Sequence, residues 1–132
     1  MPRQSIDISS FSHNNPIPAA TRIGPLVISS IIPPFNDGER KLPDTIEAQL
    51  ENLFLHVGNM LEAAGADWGD VAKMTFYVSD IKYRESVNEP FVTRFPDAAS
   101  RPSRHVQLAA GGGSPMISCD FIAYVESSRR RA

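Results

Sequence analysis

The sequence predicts an α+β domain, a mixed sheet with two helices on one face, and three observations carry that expectation. Residues 46–64 place Ile46, Leu50, Leu53, Phe54, Val57, Met60, Leu61 and Ala64 at helical spacing, an apolar stripe that must be buried against something. In residues 117–125, Ile117, Cys119, Phe121, Ala123 and Val125 alternate with Ser118, Asp120, Ile122 and Tyr124, the period of a strand. The segments between follow the order hairpin, helix, strand, helix, two strands, with no internal repeat. At 132 residues the chain is expected to hold one core, a single domain over residues 1–128 with a basic tail at 129–132.

Taken in order, the first 18 residues are mostly polar, with Ile6 and Ile8 marking a short edge strand. Ala19 to Ile23 and Leu26 to Ile31 read as a hairpin about the turn dipeptide Gly24-Pro25. Three prolines and Asn36-Asp37-Gly38 make residues 32–43 a loop. Asp44 to Gly65 is the clearest helix, with Asp44 as N-cap, Glu47 three residues on in the manner of a capping box, and Gly65 as its stop. His56 lies beside the apolar stripe and is expected to be half-exposed rather than a ligand, because no second ligand lies one turn away.

Val71 to Ser79 alternates Met74, Phe76 and Val78 against Lys73, Thr75 and Tyr77 as a strand. Ile81 to Phe95 follows as a second helical stretch started by Asp80, with Pro90 kinking it or ending its first part. Two strand segments close the chain, joined by a loop through Gly111 to Gly113. That loop connects strands instead of opening a helix, so it lacks the aligned amides of a phosphate site. With helices on one face only, Ile122, Tyr124 and the apolar hairpin leave the other face partly apolar, which self-association would cover.

Composition narrows the function classes. Hydrophobic residues make up 42% and the formal charge is −2, so bulk electrostatics give no reason to expect nucleic acid, and the arginines at 129–131 read as a solvated tail. No run of about 18 apolar residues occurs, and the N-terminal stretch lacks the apolar core of a signal peptide, so the expected location is the cytoplasm, with no membrane partner. The single cysteine, Cys119, excludes an internal disulfide and a thiolate metal cluster, and its parity makes it a buried structural thiol.

The chemistry concentrates near the last two strands. Ser118 and Asp120 share the mixed face, and if the two strands pair, Arg104 is expected near it, a guanidinium fork suited to a planar carboxylate. His105 points to the opposite face from Arg104 and reads as a packed histidine, while His13 reads as an exposed loop histidine, the alternative being that its segment closes over a cleft.

LVISS (26–30), EAAGADWGDVAKMTFYVSDI (62–81), SVNEPFVTRF (86–95), RPSR (101–104) and DFIAYV (120–125) resemble the Rid family of reactive-intermediate imine and enamine deaminases, over roughly residues 15–126. The resemblance implies a chorismate-mutase-like (YjgF/RidA-like) fold and a homotrimer whose sheets form a central barrel, with ligand clefts between subunits. It implies that Arg104, in Pro102-Ser103-Arg104, binds the carboxylate of a 2-imino or 2-enamino acid while water hydrolyses it to a 2-keto acid and ammonia, without metal or other cofactor. Ser30 matches a serine lining that cleft, Ile31 follows it, and Asn88 matches an asparagine near it.

The departures from the family pattern are specific. Ile17 stands where the family has a tyrosine, and Ile31-Ile32-Pro33-Pro34 where it has Gly-Gln-Ile-Pro. Ser118 stands where a glutamate positions the water, and Asp120 takes the next carboxylate position. A serine can hold a water but cannot take up its proton at neutral pH. Three functions are compatible with this set: a deaminase of small 2-imino acids, a non-catalytic trimer binding small carboxylates, and a specialised hydrolase of a bulkier unsaturated amino acid in a pocket made apolar by Ile17, Ile31 and Ile32.

Overall fold

A computed structural model describes residues 2–109 and 115–126. The glycine loop at 111–113 and the arginines at 129–131 lie outside the described residues.

Six strands form one sheet: β1 (Arg3–Ile6), β2 (Ala20–Ile23), β3 (Leu26–Ser29), β4 (Val71–Val78), β5 (Ser103–Leu108) and β6 (Ile117–Tyr124). Their order is β1-β2-β3-β6-β4-β5, and all pairs are antiparallel except β4 with β5. The mixed α+β layer is the one expected. Gly24 makes the β2–β3 turn at φ 56°, a conformation costly for a residue with a Cβ. The edge strand ends at Ile6 instead of beginning there, because its register runs from Arg3 opposite Ile23 to Ile6 opposite Ala20.

The last two strands do not pair with each other. β4 lies between them, parallel to β5 and antiparallel to β6. The reason is the helical crossover from β4 to β5, which returns the chain parallel to β4 on its free edge, leaving the other edge for β6.

The helix α1 (Ile46–Ala63) buries Leu50, Leu53, Phe54, Val57, Met60 and Leu61, the predicted stripe. They pack on the sheet face that carries Val27, Met74, Phe76, Cys119 and Phe121, all at most 1% exposed. Its N-cap is Thr45 and not Asp44: Thr45 has extended backbone and its Oγ1 accepts from the Ala48 N–H at 3.1 Å. Gly65, at φ 78°, ends the helix as expected. Arg22 donates to the Ala64 carbonyl, placing a cation where the helix leaves unpaired carbonyls.

The second helical stretch is two pieces, a 3₁₀ segment at Ile81–Val87 and the helix α2 (Asn88–Arg94). Pro90 sits in the first turn of α2, where its missing N–H leaves no bond unmade, so the break falls just before it. Asp80 starts the 3₁₀ segment by accepting from the Lys82 N–H.

His56 is fully buried, not half-exposed. The N-terminal segment and the 32–43 loop fold over that flank of α1: His56 Nδ1 lies 2.9 Å from Ser10 Oγ and its Nε2 2.8 Å from the Phe35 carbonyl. Burial lowers its pKa against the opposing effects of the Phe35 carbonyl and Asp37.

Candidate functional site

The residues singled out from sequence fall into two groups, on opposite faces of the sheet. The first occupies the face without helices, beside β3, β6 and β4. From Ile28↔Ile122 to Ile32↔Cys119 the chain takes four steps on one side and three on the other, a bulge with one extra residue after β3. Ser29 Oγ accepts the Phe121 N–H, which the disturbed ladder would otherwise leave unpaired. The bulge leaves Ile31 exposed and Ser30 part-buried against the N-terminal segment, while Ile32 is fully buried. Ile32 therefore belongs to the core and does not line a pocket, whereas Ile17 and Ile31 are about half exposed, at 48% and 46%.

Ser118 and Asp120 lie on this face in register with Tyr77 and Thr75 of β4. Asp120 Oδ2 accepts from the Tyr77 hydroxyl at 2.7 Å. Burial, reinforced by that bond and the Asp120 charge, pushes the Tyr77 pKa up to about 12, against a hydrogen bond from Gln107 that lowers it. After a rapid pH jump, phenolate absorbance should therefore show a late phase with midpoint at about 12. Tyr77→Phe should abolish that phase and Asp120→Asn should move it down; an unmoved midpoint in Asp120→Asn would sever the pair. Cys119, between them in sequence, is fully buried on the helix face, and burial raises its pKa, as the structural-thiol expectation requires.

Ser30 anchors the N-terminal segment. Its Oγ lies 2.9 Å from the Ala19 carbonyl, 3.1 Å from the Pro18 carbonyl and 2.7 Å from His13 Nε2. His13 is thus not an exposed loop histidine. Phe11, itself buried, presents its ring edge-on to the imidazole at 4.6 Å between centroids.

The second group lies on the helix side, at the free edge of β5. Arg104 pairs across with Met74, which pairs with Phe121, so Arg104 shares their face and not that of Ser118 and Asp120. The expected meeting of Arg104 with the mixed face fails because β4 separates β5 from β6. Two strand spacings of roughly 4.8 Å and the thickness of the sheet intervene. Its neighbour His105 lies exposed on the opposite face, in register with Thr75 and, beyond it, Asp120.

Arg104 Nη2 donates to Asn88 Oδ1 at 2.8 Å, and its guanidinium lies over the Phe91 ring at 5.1 Å. Both partners belong to α2, and Asn88 is its first residue. Partial burial lowers the Arg104 pKa, and Arg84 nearby lowers it further. A guanidinium bonded to a neutral amide and repelled by a second arginine is a site that an anion would complete. The family pattern placed Arg104 and Asn88 each at the cleft but did not join them; it missed Arg84, Phe91 and Tyr77, which no local period connects to the site.

Among the described residues, no helix is long and apolar enough to cross a membrane. Residues 9–111 match the model of the family described as Endoribonuclease L-PSP. Reactive Intermediate Deaminase A, chloroplastic, of Arabidopsis thaliana is 33% identical over 81 residues, 61% of this chain and 42% of that protein. The chain spans about half the length of the curated relatives it matches. Among solved structures, a Thermotoga maritima protein described as an endoribonuclease candidate is 26% identical, with TM-score 0.83 over 94% of this chain and 98% of its own. The YjgF gene product of E. coli is 24% identical, with TM-score 0.82 over 93% and 99%. With the family's model matched over residues 9–111 and its fold shared along nearly the whole chain, the chain belongs to the Endoribonuclease L-PSP family, the Rid family whose motifs its sequence carries.

Proposed function

We propose that the protein is a Rid-type deaminase that hydrolyses small 2-imino or 2-enamino acids to 2-keto acids and ammonia. It would act in the cytoplasm as a single domain over residues 1–128 with a basic tail at 129–132. The observation that carries the proposal is Arg104: a part-buried fork whose partner is the neutral Asn88 amide and whose charged neighbour is Arg84. A substrate carboxylate supplies the missing negative charge and is held in one plane by the fork. Holding it fixes the imine carbon against a water on the other group, which is catalysis by position.

One chain cannot bring Arg104 to Ser118 and Asp120, because they lie on opposite faces of its own sheet. In the proposed homotrimer, the β5 edge of one subunit meets the bulge and β6 of the next, and each cleft takes one group from each. An apolar patch supports this assembly: Leu26 beside Tyr124 and Ile28 beside Ile122 are all exposed on the face without helices. The half-exposed Ile17 and Ile31 favour a substrate with an apolar side chain, the specialised-hydrolase form of the same chemistry.

The bond between Tyr77 and Asp120 favours a second reading, a trimer that binds small carboxylates without turning them over, since that acid is already engaged. The deciding experiment generates 2-iminopropionate and 2-iminobutyrate in situ with an amino-acid oxidase and follows their loss with and without the protein. Acceleration over the spontaneous rate is expected. No acceleration, together with saturable binding of 2-oxobutanoate, would leave the binding module in its place.

A further inference from the structure

The proposed deaminase lacks an assigned group to take a proton from water, and the inference here rests on that proposed function. Ser118 cannot serve at neutral pH, and Asp120 is held by the Tyr77 hydroxyl. We propose that His13 is the proton-transfer residue of the site, set in one tautomer by Ser30 and replacing the glutamate that the chain lacks.

The tautomer follows from counting protons. Ser30 Oγ has one hydrogen and faces two backbone carbonyls, of Ala19 at 2.9 Å and Pro18 at 3.1 Å, which can only accept. Its hydrogen goes to one of them, so toward His13 the hydroxyl accepts, and the Nε2 at 2.7 Å carries the proton. In the neutral ring Nδ1 is then the nitrogen without a proton. Burial first and Arg40 second lower the pKa of the imidazole, against a hydrogen bond with the Ile31 backbone that raises it.

The segment bearing His13 is pinned at three points. Ser10 Oγ is bonded to His56 and to Asn59 Nδ2, the latter at 3.0 Å, Phe11 is buried beside His13, and Arg40 Nη1 donates to the Ser12 carbonyl at 2.7 Å. His13 is therefore pre-oriented next to Ser30, the residue through which it would enter the proposed cleft.

The step balances without any further reagent. Water oxygen bonds to C2 of the bound iminium, the C=N π pair moves to nitrogen, and one water proton goes to His13. His13 returns that proton to the nitrogen, the C–N bond breaks as C=O forms, and ammonia leaves with the hydroxyl proton as ammonium.

The test compares the pH profiles of imine loss for wild type, His13→Gln and Asp120→Asn. Wild type is expected to lose activity on the acid side as His13 protonates. His13→Gln, which keeps a donor for Ser30, should lower kcat on the order of 10²-fold with little change in KM and should lose that acid limb. Asp120→Asn should keep the limb, whatever its effect on rate. Nitrogen-15 shifts of the His13 ring, which need no activity, should show Nε2 protonated and Nδ1 bare. An active wild type with an equally active His13→Gln, a limb that disappears in Asp120→Asn instead, or the opposite tautomer overturns the role of His13 alone. A wild type that accelerates nothing overturns the deaminase and, with it, this role.

Discussion

Arg104→Ala is expected to lower kcat/KM for 2-iminobutyrate on the order of 10²-fold, because it removes the group proposed to fix the substrate while leaving the proposed water side intact. The same variant should lose most of its affinity for 2-oxobutanoate. Arg104→Lys should fall between, since an ammonium keeps the charge but not the planar fork, and cannot both hold Asn88 Oδ1 and grip a carboxylate with two parallel bonds. The fold should be little affected, as the side chain is only part-buried at a sheet edge and its bonded partner is neutral. Steady-state kinetics beside calorimetric titration separate these effects, and an Arg104→Ala enzyme as fast as wild type would remove the carboxylate fork from the mechanism.

His56→Leu should destabilise the protein by about 2–4 kcal/mol, since it removes the ring partner of the buried Ser10 hydroxyl, whose oxygen keeps Asn59, and of the part-buried Phe35 carbonyl, each loss costing roughly 1–3 kcal/mol. Leucine fills much of the space, so lost hydrogen bonding and not a cavity dominates. Urea unfolding at one fixed protein concentration measures it, and a midpoint equal to wild type would show that the network contributes nothing net.

The same histidine sets an acid limb of stability. His56 and His13 both have lowered pKa values in the fold, chiefly through burial, whereas the unfolded chain takes up protons near the ordinary 6.5. Below that pH the unfolded state binds more protons, so stability is complete above about 6.5 and declines as pH falls toward the folded-state values. In His56→Leu this slope should be shallower, because one of the two titrations is gone.

The sequence by itself determined the elements whose signal is local. The stripe from Ile46 to Ala64, the alternation of β4 and β6, the turn at Gly24, the stop at Gly65 and the burial of Cys119 follow from periods of 3.6 and 2 and from backbone freedom at glycine. The family pattern singled out Arg104 and Asn88 separately, and only the fold joined them, at 2.8 Å. Tertiary structure alone decided which strand lies beside which. A period of two says that Ser118 and Asp120 share a face, but it does not say that β4 enters between β5 and β6, and that insertion sends Arg104 to the other side. It decided equally the bulge beside Asp120, the bond between Tyr77 and Asp120 across 43 positions, and the closure of Ser10 on His56 across 46. Such contacts join residues far apart in the chain, and their register is selected by burying the whole apolar face at once, a condition that no short window of sequence contains.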